Sequence, residues 1–124
     1  MKNSYSMQGF DLTVGNNLIE MRAQGDRGSG AEISPARIFA SISAKVTTQL
    51  ILYDIRDSDY QLTELEWEER GRFVARLFKG FQIAYVIRND QREQARLICR
   101  AHARNGDEAD YFTSKTKARN WLLR

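Results

Sequence analysis

Apolar and polar residues alternate from the start of the chain. In "FDLTV" Phe10, Leu12 and Val14 share one face, and in "LIEMRAQ" Ile19, Met21 and Ala23 do the same, with "GNN" between them. Period-two alternation on both sides of a Gly/Asn turn predicts a β-hairpin. Its first strand leaves one sheet edge open, which must be covered or paired, so a homodimer is expected. The polar, Gly-rich "GDRGSGAEIS" that follows is expected to be a loop. Ser34 and Pro35 then open a helix as N-cap and first helical residue, with Ile38, Phe39, Ile42 and Val46 on one face.

Further along, the pattern changes. "QLILYDIR" and "FQIAYVIR" are apolar at both odd and even positions, the signature of a central parallel strand covered on both faces. Leu50 to Asp54 and Ile83 to Ile87 should therefore be the most buried strands. Thr63 and Glu66 have the spacing of a capping box, and Trp67, Gly71, Val74, Leu77 and Phe78 form the stripe of the helix it opens, which Gly80 ends. "NDQRE" opens the next helix, with Ala95, Ile98, Cys99 and His102 on its stripe and Asn105-Gly106 at its end. "ADYFT" is a short strand, and Ser114 caps a last helix that packs Ala118, Trp121 and Leu122. The predicted fold class is α/β: one mixed, mostly parallel sheet in the order ββαβαβαβα, covered by helices.

Three patches, "ILYDIRD", "RLFKGFQIAYVIRND" and "YFTSKTKARNWLL", together with this element order, resemble the STAS-like fold in its small bacterial SpoIIAA-like members. The likeness in element order runs over about residues 10 to 123. It implies a single non-enzymatic module, regulatory and bound to a protein partner. Regulatory members carry Asp-Leu-Ser at the end of the strand that "ILYDIRD" matches, and a phosphorylated serine after aspartate at the next helix. Here Asp54-Ile55 matches, Arg56 stands at the first serine, and Thr63 opens the helix behind Leu62. The resemblance thus implies Thr63 as the phosphoacceptor position.

A chain of 124 residues with 42% hydrophobic and 10% aromatic content fits one folded domain and is too apolar for disorder. One cysteine leaves no internal disulfide, and one histidine leaves little for a metal cluster or a catalytic triad. No apolar run approaches the ~18 residues of a membrane span, and "MKNSYSMQGFD" lacks the apolar core of a signal peptide. A cytoplasmic location is expected. The net charge of +3 is mildly basic; without clustering it gives little reason to expect nucleic acid.

Two charged stretches draw attention. From 54 to 69 the acids Asp54, Asp57, Asp59, Glu64, Glu66, Glu68 and Glu69 face the base Arg56. Calcium-loop spacing is broken by Leu62 at the position that needs Gly, so a solvated turn is expected. A hydrolase using a divalent ion held by Asp54, Asp57 or Asp59 is the most distant function. Arg88, Arg92, Arg96, Arg100 and Arg104 recur every fourth residue. With acids interspersed and no aromatic for base stacking, a solvated face is favoured over a partner surface, and nucleic acid comes third. Cys99 and His102 read as a buried thiol and a satisfied core imidazole.

In a parallel sheet, ligands collect at the C-terminal strand ends. That places Arg27, Arg56, Thr63, Arg88 and Asn89 around one crevice rimmed by Asp57 and Asp59. Arg56 and Arg88 are the candidates for a small anionic ligand or an acidic partner; the alternative is that each neutralises a neighbouring aspartate. A second function is a small-ligand or nucleotide-binding protein using the Gly25–Gly30 loop. No residues are assigned to catalysis, metal or cofactor.

Overall fold

The computed structural model describes residues 3–7, 9–15, 17–28, 36–37, 39–41 and 46–124. Among them runs one mixed sheet of six strands in sequential order: β1 (Asn3–Met7), β2 (Phe10–Val14), β3 (Ile19–Arg27), β4 (Leu50–Tyr60), β5 (Gln82–Val86) and β6 (Ala109–Phe112). β1, β2 and β3 pair antiparallel, and β3 to β6 pair parallel. Helices α1 (Glu64–Leu77), α2 (Arg92–Arg104) and α3 (Lys115–Leu122) follow β4, β5 and β6.

The two central strands are buried on both faces because their side chains alternate between two cores. Ile51, Tyr53, Ile55, Ile83, Tyr85 and Ile87 join Phe10, Leu12, Ile19 and Met21 under α1 and α2, with Trp67, Val74, Phe78, Ala95 and Ile98. Leu52, Ala84 and Val86 point the other way, onto Ala118 and Leu122 of α3. That explains the doubly apolar pattern of the sequence. Thr63 and Glu66 make the expected reciprocal cap of α1, and Ser114 accepts from Lys117 N at α3. α1 and α2 approach closely at Gly71, where a Cβ would lie 3.4 Å from Ala101 Cβ.

Three expectations need correction. β1 pairs with β2 from Asn3↔Val14 to Met7↔Phe10, so the edge expected open at "FDLTV" is covered and β1 is the outer strand. "NSYSM" lacks the clear apolar alternation of β2, which is why the pattern does not announce it. Gly25, Asp26 and Arg27 are strand, not loop, paired with Ser58, Asp59 and Tyr60. For the same reason "DIRDSDY" is no turn: β4 runs 11 residues. Ser34, Pro35, Ile38, Ile42 and Gly30 lie outside the described residues. Ala36, Arg37, Phe39, Ala40 and Ser41 are helical, and Phe39 stands edge-on to Phe78 and Phe81 at 4.8 and 5.2 Å between ring centroids.

Candidate functional site

β4 outruns β5. The parallel pairing of β4 with β5 ends at Asp54↔Val86, whereas β3 stays with β4 as far as Arg27↔Tyr60. A buried stretch of strand whose edge carbonyls had no donors would be costly. Two side chains from the turn after β5 take the place of the missing strand. Gln91, in the single 3₁₀ turn Asn89–Gln91, donates from Nε2 to Ile55 O and Ser58 O, both at 3.0 Å. The Arg88 guanidinium donates to Arg56 O and, at 3.1 Å, to Ser58 O. Its remaining donors reach Asp59 at 2.9 Å and Asp90 at 3.0 Å. Hydrogen bonding to Asp90, and then to Asp59, raises the Arg88 pKa, and the same guanidinium holds the Asp90 carboxyl below its ordinary value.

Over this clamp opens a crevice of about 310 Å³, lined by Asp26, Ile55, Asp59, Tyr60, Gln61, Trp67, Arg88, Asp90, Gln91 and Gln94. Its polar lining is rich in acceptors. Asp26, Asp59 and Asp90 stand against Arg88, whose N–H groups already serve carbonyls and carboxylates. Gln94 Oε1 is buried and, among the described residues, accepts from none. The aromatic wall is stiffened from behind: Arg70 lies over Tyr60 at 4.4 Å and over Trp67 at 5.5 Å, and Arg27 approaches Tyr60 at 5.9 Å. A larger groove, about 470 Å³, runs beside Leu18, Glu20, Arg119 and Leu123 on the α3 side; its Glu20 carboxylate is taken by Arg119 and Lys115.

Of the residues expected at the crevice, Arg88 lines it. Arg27 is buried and donates to Gly9 O at 2.7 Å, bracing the β1–β2 connection. Arg56 forks onto Asp54 through Nε and Nη2, at 3.0 and 2.8 Å. Burial pushes the Asp54 carboxyl up, but the Arg56 side chain and backbone N–H outweigh this and leave it below its ordinary value. Thr63 Oγ1 accepts from Glu66 N, and Asn89 Oδ1 accepts from Arg92. Asp57 pairs with Arg22 at 2.5 Å. Each acid of "DIRDSD" is therefore held by a different arginine, and no group of three metal-ligating side chains occurs among the described residues. Gly25 and Arg27 spend their place in the chain on strand pairing, so the amide cradle expected of the Gly-rich run does not form over them.

Pattern reading missed Asp26, Tyr60, Gln61, Gln91 and Gln94. Gln91 is buried, and an amide three residues past the doubly apolar stretch "FQIAYVIR" was the available signal. The remaining candidates are quickly placed. Cys99 is half-buried rather than buried, with burial raising its thiol to about 12. His102 is fully buried; Nε2 meets Tyr85 Oη at 2.8 Å, while Nδ1 has no partner among the described residues. Along the arginine ladder Arg92, Arg96, Arg100 and Arg104 are exposed, and Arg96 pairs with Glu93. No helix among the described residues is long and apolar enough to cross a membrane.

No protein-family model and no curated protein matches the chain. Among solved structures it is similar to an uncharacterized protein of the DUF3478 family with a SpoIIAA-like fold from Shewanella loihica PV-4. The identity is 19% and the TM-score 0.63, over 92% of this chain and 94% of that one. At that identity the likeness concerns the fold. Strand order, mixed pairing and helix placement agree with it: the chain has the STAS-like, SpoIIAA-like α/β fold.

Proposed function

We propose that the protein is a non-enzymatic STAS-like module that binds a protein partner at the C-terminal edge of its parallel strands, with a basic side chain of that partner seated in the Arg88 crevice. The observation that carries this reading is the balance of the lining. Three carboxylates line the opening, and the guanidinium that could attract an anion is already enclosed by Asp59, Asp90 and two backbone carbonyls. An anion would have to displace those carboxylates from Arg88. A lysine or arginine can instead add donors to acceptors that exposed Asp59 and Asp90 keep in solvent.

The test is a titration of ¹⁵N-labelled protein with a hexa-arginine peptide and, separately, with hexaglutamate. It is run at ~0.15 M salt, where the screening length is ~8 Å and diffuse attraction is suppressed. Shifts confined to Asp26, Asp59, Tyr60 and Gln94 with the basic peptide, weakened in Asp59→Asn and in Asp90→Asn, are expected. Shifts there with hexaglutamate alone would restore the anionic ligand and sink this reading.

Thr63 favours a second element of the reading. It is exposed and sits at the N-cap of α1, where a phosphate would meet the positive end of the helix but also Glu64 and Glu66. Phosphorylation there would displace the Glu66 cap and so mark the crevice rim; intact mass after expression in native cells tests it.

A further inference from the structure

We infer that β1 is a docking edge for a second copy of this chain, pairing antiparallel with the partner's β1 to continue the sheet across a two-fold axis. The inference concerns a different surface from the crevice and stands apart from it. β1 ends the strand order on one side and β6 on the other. An edge strand offers a row of backbone N–H and C=O groups, and natural proteins blunt such edges with charge, proline, bulges or brevity.

The two edges differ in this respect. β6 is four residues long and carries Asp110, exposed, just after exposed Glu108. β1 is five residues, Asn3-Ser4-Tyr5-Ser6-Met7, with no charged residue and no proline. Its pairing with β2 is continuous, without a register shift. Ser4 and Ser6 are exposed, and Tyr5 packs against the core. Among the described residues, β1 is therefore held in extended form by β2 on one side and has no strand on the other.

The two-fold axis selects the occupant. In an isologous pair a strand meets its own sequence reversed, so any charge on it enters the seam twice, once from each copy, which disfavours the pairing most where the two copies lie near the axis. β1 contains no charge in any register of such a pair, whereas a β6 pair would carry the Asp110 of each copy into the seam. Ser6 Oγ donates to Asp11 and Ser4 Oγ lies 3.4 Å from Thr13 Oγ1, so the serine hydroxyls turn back onto β2 and leave the outer edge to the backbone. A pair of five-residue strands is short, so the dimer should depend on concentration.

Sedimentation velocity over a hundredfold range of concentration, with exchange of the outward-facing amides of residues 3–7 (those that do not bond β2) at both ends of the range, tests this. A dimer that forms on concentration, with those amides becoming protected in step, is expected. The Ser4→Lys/Ser6→Lys double variant should stay monomeric at every concentration, and Ser4→Val should dimerise as wild type does; unchanged melting of both shows the fold kept. A wild-type monomer throughout, or a dimer that survives both lysines, overturns the inference. Outward-facing amides of 3–7 protected already in the monomer would also overturn it, since the edge would then be covered within one molecule.

Discussion

Tyr85 Oη and His102 Nε2 lie 2.8 Å apart in the fully buried centre of the α1–α2 core. Around them Tyr85 stacks on Tyr53 at 5.7 Å, and His102 lies nearly parallel to Phe78 at 6.5 Å. Burial lowers the imidazole pKa to about 4; Asp107 opposes that shift and Arg70 adds to it. The folded protein thus resists a proton that the unfolded chain accepts near the ordinary imidazole value of 6.5. Stability from this group is complete above 6.5 and falls as the pH drops toward 4, by on the order of 2–3 kcal/mol. Urea midpoints between pH 7 and pH 4 should show this slope, and His102→Gln, which keeps a hydrogen-bonding partner for Tyr85 but does not titrate, should flatten it.

Cys99 should react slowly. With its thiol raised to about 12 by burial, the thiolate fraction at pH 8 is on the order of a thousandfold below that of an ordinary thiol. Labelling by a disulfide reagent should approach the free-thiol rate only in denaturant. Rapid labelling of the native protein would contradict the placement of this side chain.

Removal of Arg56 should expose what its fork holds down. Asp54 is 6% exposed, and in Arg56→Ala burial still pushes its carboxyl up while the side-chain hydrogen bonds are gone. The Asp54 titration, followed by carboxyl ¹³C shifts, should move from below the ordinary 3.8 to above it. A value that stays low would assign the depression to another group.

Thr63→Ala removes the hydroxyl that caps α1, at a cost of about 1 kcal/mol in chemical denaturation, whereas Thr63→Ser should lie close to wild type. Equal losses in both would mean that the threonine methyl group, rather than the cap, stabilises the helix start.

Arg88→Ala should cost about 1–2 kcal/mol, because Arg56 O and part of Ser58 O lose their donor. Arg88→Lys should recover only a fraction of this, since one ammonium cannot span two carbonyls and two carboxylates in a fixed fork. Full rescue by lysine would show that charge alone matters at this position.

The sheet was legible in the sequence where burial dictates the pattern. Ile51 to Ile55 and Ile83 to Ile87 must serve two cores, and that demand left both parities apolar. The caps at Thr63 and Ser114 were legible because they are local chemistry between near neighbours. β1 was not, since an edge strand with one solvated face tolerates Asn and Ser. Nor was the far half of β4, whose Asp57 and Asp59 look like a turn until Arg22 and Arg88, 35 and 29 residues away, are seen to meet them. The candidate site suffered for the same reason. Its arginines were identified as a group, but which carbonyl or carboxylate each one holds is decided by a strand overhang that no local pattern encodes.

That overhang separates two properties that usually travel together. The core strands fix their length by pairing backbone to backbone, so lengthening one means lengthening its neighbour. Beyond Val86, β4 is instead supported by two side chains, Arg88 and Gln91. The depth of the ledge at the sheet's edge can therefore be altered by substitutions at those two positions, with the cluster of aromatic rings beneath left as it is. Evolution and protein engineering alike have here an adjustable rim on a fixed foundation.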